Sequence, residues 1–192
     1  MTGDPTELVL MYFVLPSWFC AGLADWACHR AADLEHTTGA KESIIHLLMF
    51  AEVGIPLVMV LVLEVNALVI AVMIAAFLLH EATALWDVSY AVEHREVRPL
   101  EQHVHSFLEM VPLMALLLVV VRHWEQFLAL VGVGSEPARF VLEWKAQPLP
   151  VIYVVMVMAG AVVLELFPYL QELWRALRAG TLSATLRRPT GS

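Results

Sequence analysis

Charge is what this chain has least of. Only 16% of its 192 residues are Asp, Glu, Lys or Arg, 60% are hydrophobic, and the mean hydropathy is +0.73. That balance excludes a disordered chain and argues against a water-soluble one. Basic residues are scarcest: eleven Lys and Arg against nineteen Asp and Glu give a formal net charge of -8. With no basic patch and no phosphate-cradling loop, nucleic acid is not an expected partner. The two cysteines, Cys20 and Cys28, stand eight residues apart in one apolar stretch. On a helix that is a rise of about 12 Å, too far for a disulfide, so both are expected to be free thiols. No flavin, nicotinamide or iron–sulfur motif is present.

What the chain has in excess is long apolar segments. Five of them, near 7–29, 43–63, 67–93, 103–121 and 149–168, have the length and apolarity of membrane-crossing helices. They predict an all-α, polytopic membrane bundle of about five transmembrane helices forming one domain over 1–179, with a disordered tail over 180–192. The first segment has no Lys or Arg ahead of it and no small-residue cleavage pattern, so it is expected to stay as a spanning helix. Glu64, Val65 and Asn66 predict a tight hairpin between the second and third spans, with Asn66 capping the third. Pro112 predicts a kink in the fourth. The segment from His123 to Gln147 reads as a membrane-surface connection, and YLQELWRALRA, after the fifth span, as a short surface helix with Arg175 and Arg178 reaching water. Five spans put eight basic residues, Arg187 and Arg188 among them, on the side of the C-terminus and three on the other. The C-terminus is therefore expected in the cytoplasm and the N-terminus outside, in the inner membrane or another cellular membrane.

Eight histidines are the compositional anomaly, because ionisable groups within apolar spans are costly and tend to be ligands or proton carriers. His29, His36, His46, His80, His94, His103 and His105 all fall towards one face, and only His123 belongs to the other. Asp25, Glu35, Glu42, Glu52, Glu81, Asp87, Glu93, Glu96, Glu101 and Glu109 share that bias. Residues four or seven apart share a helix face, which pairs Asp25 with His29, Glu42 with His46, His80 with Asp87 and His94, and His105 with Glu109. Each of four helices thereby offers a carboxylate and an imidazole to a common interior, forming a four-helix metal-binding core. Glu93, Arg95, Glu96 and Arg98 read as solvated loop charges. A nitrogen- and oxygen-rich site suits iron, manganese or zinc over calcium or magnesium, and the supply of ligands exceeds what one tetrahedral zinc uses. Two irons at membrane depth, walled by apolar side chains, supply oxidation of an unactivated C–H bond with dioxygen.

On this distribution the chain resembles the integral-membrane histidine-rich diiron oxygenases, the group of fatty-acid desaturases and hydroxylases. The resemblance covers the first four spans. Where that family carries His-x-x-x-His and His-x-x-His-His runs, this chain has His29 to His36, His80-Glu81 and His103-x-His105. The resemblance implies an O2-dependent oxidoreductase with two irons held by His29, His36, His46, His80, His103 and His105. Asp25, Glu42 and Asp87 join as metal-binding acids, and Glu52 and Glu109 as catalytic ones. Its partners are the lipid bilayer, a lipid or other apolar substrate and a separate reductase that donates the electrons. Three other readings use the same residues: a zinc-dependent membrane hydrolase of a lipid amide or ester, with zinc on a set such as His80, Asp87 and His105; a metal or proton transporter, which needs stations on both faces; and haem held by facing histidines.

Overall fold

The computed structural model describes residues 4–186, the last six as backbone alone. It is an all-α polytopic bundle with no strand among the described residues. Five helices are long and apolar enough to cross a membrane: α1 (Pro5–Ala31), α2 (Ala40–Val62), α3 (Ala67–His94), α4 (Pro99–Arg122) and, after the short α5 (Trp124–Leu130), α6 (Val151–Gly180). The helix of α6 continues to Leu186, into the stretch expected to be a tail, and residues 187–192 lie outside the described chain.

Local chemistry sets the boundaries. Asp4 caps α1, accepting from the Thr6 and Glu7 amides, with Pro5 in the first turn. After α1 the chain turns through Asp33 and Gly39, both at positive φ (54° and 68°), around a short 3₁₀ turn over Leu34–His36. Asn66 caps α3 as expected, accepting from Leu68 N at 3.0 Å and Val69 N at 3.3 Å. Its amide group also donates to Val141 O at 2.8 Å. The connection from α5 to α6 therefore lies over the α2–α3 hairpin, where Glu64 N donates to Glu143 O and Lys145 N to Val62 O. Pro56 and Pro112 sit inside unbroken helices, each removing one backbone donor.

The helices close a ring in the order α1, α4, α3, α2, α6 and back to α1. Half of its interior is apolar: Val65, Val69, Ile70, Met73, Leu116, Val119 and Val120 form one cluster, and Val14, Trp18 and Val111 another. Leu78, Leu85, Val155 and Phe167 point outward, as helices surrounded by lipid require. The other half of the interior is filled by ionisable side chains.

Candidate metal centre

Three helices each present an acid and a histidine one turn apart: Asp25 and His29 on α1, Glu42 and His46 on α2, Glu101 and His105 on α4. The i, i+4 spacing turns both members of each pair to one face. α3 adds Asp87 and α6 adds Glu172. All of these side chains are buried. The point where they meet lies near the end of the bundle that carries loops 32–39 and 95–98.

The rings of His29 and His46 are stacked, with centroids 4.3 Å apart and planes within 4° of parallel. Glu172 spans both edges: Oε2 is 3.1 Å from His29 Nδ1 and Oε1 is 3.0 Å from His46 Nδ1. An ionised carboxylate only accepts, so both Nδ1 atoms donate and both Nε2 atoms face the other way. There they meet more acceptors. His29 Nε2 stands 3.4 Å from Asp25 Oδ1 and 3.7 Å from Glu101 Oε1, and His46 Nε2 stands 3.4 Å from Asp87 Oδ1 and 4.0 Å from Glu42 Oε1. His105 Nε2 is 2.9 Å from Asp25 Oδ1, near enough for a hydrogen bond but not directed as one. Asp25 Oδ1, His29 Nε2, His46 Nε2 and Asp87 Oδ1 are all buried without a hydrogen-bond partner. Buried polar atoms are nearly always bonded, so four orphans facing one another require an account. Two overlapping sets, Asp25–His29–His105 and His29–Glu42–His46, keep their ligand atoms within 4.8 Å of one another and could hold metal ions.

Arg95 roofs the cluster. Its Nη2 donates to Glu42 Oε1 at 2.6 Å and to Glu101 Oε1 at 2.5 Å, and only 2% of its side chain is exposed. Burial pulls its guanidinium down, but the hydrogen bonds to Glu101 and Glu42 outweigh this and hold it above the usual range. Arg95 thus corrects the expectation of a solvated loop charge. The surface helix expected after the fifth span is likewise the continuation of α6, and it carries Tyr169 and Glu172 into the interior.

Of the nine metal-binding residues expected from the sequence, Asp25, His29, Glu42, His46, Asp87 and His105 converge and three do not. His36 is exposed in the α1–α2 turn, where its Nδ1 lies 2.8 Å from Asp33 Oδ1, and that hydrogen bond raises its pKa. His103, two residues from His105, is on the outer side of α4 beside Phe107. His80 is buried seven residues from Asp87, about 10 Å along α3. Its Nδ1 is 3.7 Å from Glu52 Oε2, and Thr83 donates to Glu52 Oε1 at 2.8 Å. Glu109, one turn beyond His105, borders a cavity of about 50 Å³ together with His80, Asp87 and His105, the trio considered for zinc. His94 is exposed and bonds to Tyr90 O.

Sequence reasoning counted Glu101 among the acids of this face without pairing it with His105, and passed over Glu172. Glu101 repeats the acid-x-x-x-His spacing of the α1 and α2 pairs, a signal that was available. Glu172 had none, because the residues around it read as an interfacial helix. Close beside the cluster, Glu165 is buried with Oε1 unpartnered and lies so near Gly22 that a methyl group there would overlap its carboxylate. Comparison with protein families, with curated proteins and with solved structures finds no match to this chain.

Proposed function

We propose that the chain is an integral-membrane dimetal oxidoreductase. It holds two irons among His29, His46, His105, Asp25, Glu42, Asp87 and Glu101 and oxidises a C–H bond of an apolar substrate with dioxygen. The observation that carries this reading is the pair of Nε2 atoms turned by Glu172 towards Asp25 and Asp87 oxygens that, like them, lack a hydrogen-bond partner. A network of imidazolium–carboxylate hydrogen bonds would draw those atoms to about 2.7–3.2 Å. Their separations of 3.4–4.0 Å suit ligand atoms that share an ion, each about 2.0–2.2 Å from it. Charge supports the count. With the imidazoles neutral, as ligation requires, Asp25, Glu42, Asp87, Glu101 and Glu172 as carboxylates against Arg95 would leave four negative charges, which two divalent ions cancel.

Bound iron supplies dioxygen-dependent oxidation with electrons from a separate reductase. The chain's own residues do the rest. Glu172 fixes the tautomer and angle of two imidazoles. Arg95 holds Glu42 and Glu101 in place and closes the cluster on the loop side. Glu109 stands at the small cavity, where it can give or take a proton, and Trp18, Phe50 and Val53 keep water from the same cavity. Exposed Arg30, Lys41, Arg98 and Arg178 lie on the cluster's face. That distribution supports a cytoplasmic site, on the side from which a reductase would dock.

Elemental analysis of the purified protein tests the reading, with about two irons per chain expected. His29→Ala and His46→Ala should each lose metal, while His36→Ala and His103→Ala keep it. A single zinc would replace the oxidoreductase with the hydrolase. A metal-free protein that titrates with no divalent ion would leave only a structural network.

A further inference from the structure

A cavity of about 490 Å³ occupies the half of the bundle away from the cluster. Its walls are apolar, from Leu10, Val14, Leu57, Val60, Ala115 and Leu116, and its volume is that of a pocket for a sizeable ligand. Polar groups gather at its two ends. The floor is Glu52 and His80, where Glu52 Oε2 and His80 Nδ1 are buried without hydrogen-bond partners. The mouth carries Lys145, with Arg122 and His123. Arg122 is paired with Asp4 and Glu7, and Arg139 nearby with Glu143. Lys145 is attracted by Glu64, yet among the described residues it makes no ion pair, and Glu64 Oε1 is engaged by the Ala146 amide at 2.7 Å. Burial depresses the Lys145 pKa against the attraction of Glu64 and Glu7.

The small cavity at the cluster and this large one share Trp18, Val53 and His80. The two cavities adjoin there, and joined past His80 they would make a path from Lys145 to Asp25, His46, Asp87 and His105. Lys145 is level with Val62, to which its amide donates at 3.1 Å. From Val62 to Glu52 is about 15 Å along α2, and from Val62 to His46 about 24 Å. We infer that this path is the binding site of a single long hydrocarbon chain with an anionic head, the head on Lys145 and the far end of the chain turned towards the cluster. As a substrate site it rests on the dimetal reading, and it places the chemistry near the tail of the chain and far from its head. Chain length then decides what reaches the cluster. A chain much shorter than about 24 Å ends at the His80 floor.

Photo-crosslinking of the full-length protein in nanodiscs tests this, using palmitate with a diazirine at its last carbons and peptide mapping of the adducts. Adducts are expected around Trp18, Phe50 and Val53, with unlabelled palmitate competing at least ten times better than its methyl ester. Lys145→Ala should abolish that preference. Ala115→Trp should remove the adducts, and Val60→Phe, in the same wall, serves if that variant does not fold. The same label on octanoate, with about half the reach of palmitate, should stop near Leu57 and Val60. Lysophosphatidate as competitor separates the sources of the anion: better competition than palmitate assigns a phosphate head, weaker competition a free carboxylate. Adducts confined to lipid-facing positions such as Leu78 and Val155 would overturn the site, and terminal labels collecting at Lys145 would overturn its direction. Metal content of the same samples keeps the two readings apart. Cavity adducts in a protein that binds no metal would leave the chain site and remove the enzyme, and metal without cavity adducts would do the reverse.

Discussion

Glu172 shows how much one side chain decides. Each of its oxygens accepts from a different histidine, which puts a proton on both Nδ1 atoms and, in the neutral imidazoles that the proposed metal needs, leaves the lone pairs on both Nε2 atoms. Glu172→Gln nearly preserves shape but offers one acceptor and one donor, so one of the two imidazoles must move its proton to Nε2 and lose its lone pair there. Metal affinity should fall about 10–100-fold with the helical circular dichroism unchanged, as measured by competition with a chelator. An unchanged affinity would mean that Glu172 only packs. The acid–histidine pairs on α1 and α2 were legible because i, i+4 spacing is a property of the helix alone. That Glu172 bridges two of those histidines depends on α6 docking against α1 and α2, and no local pattern encodes that contact.

Among the elements, the spans were legible nearly to their ends, since a run of about 20 apolar residues has few other fates. The continuation of α6 was not, because Arg175 and Arg178 mimic a water-facing stripe. In the fold Arg175 pairs with Glu35, while Arg178 is exposed as expected and lies over the Trp174 ring, 3.6 Å from its centroid. The end of the bundle that holds the α2–α3 hairpin and the start of α5 bears two predictions. Asn66→Ala removes the cap of α3 and the bond to Val141, and should cost about 1–2 kcal/mol, read as a lower midpoint of thermal unfolding. His123, at the start of α5, has its pKa pushed down to about 4 by burial and then by Arg122 and Lys145. Its charged form is thus the disfavoured one. The stability it contributes is complete above its ordinary value of 6.5 and drains away as pH falls from there towards 4. Melts across that window should show the loss, and His123→Gln should flatten it.

On the scale of the whole molecule, the interior divides into an apolar half that stabilises the bundle and an ionisable half that opposes it. With Asp25, Glu42, Asp87, Glu101 and Glu172 ionised and the imidazoles neutral, as ligation requires, the cluster without metal would hold four uncancelled negative charges, which repel one another strongly where little water screens them. Divalent ions would turn this repulsion into cohesion, so the proposed metals contribute to the fold as well as to the chemistry. Binding to the folded state alone stabilises by mass action, about 2.7 kcal/mol when free metal exceeds its Kd a hundredfold. Chelation should therefore lower the melting temperature of the wild-type protein and make it depend on metal concentration. Asp87→Asn separates the two roles of the charge. It removes a ligand oxygen near His46, so the variant should gain little from added metal. It also removes one of the mutually repelling charges, so without metal it should melt at or above the temperature of the stripped wild-type protein. Differential scanning calorimetry of both proteins, with and without metal, checks this crossing. If the four charges are instead neutralised within the protein, by imidazolium groups for example, Asp87→Asn would break an ion pair and melt lower under both conditions.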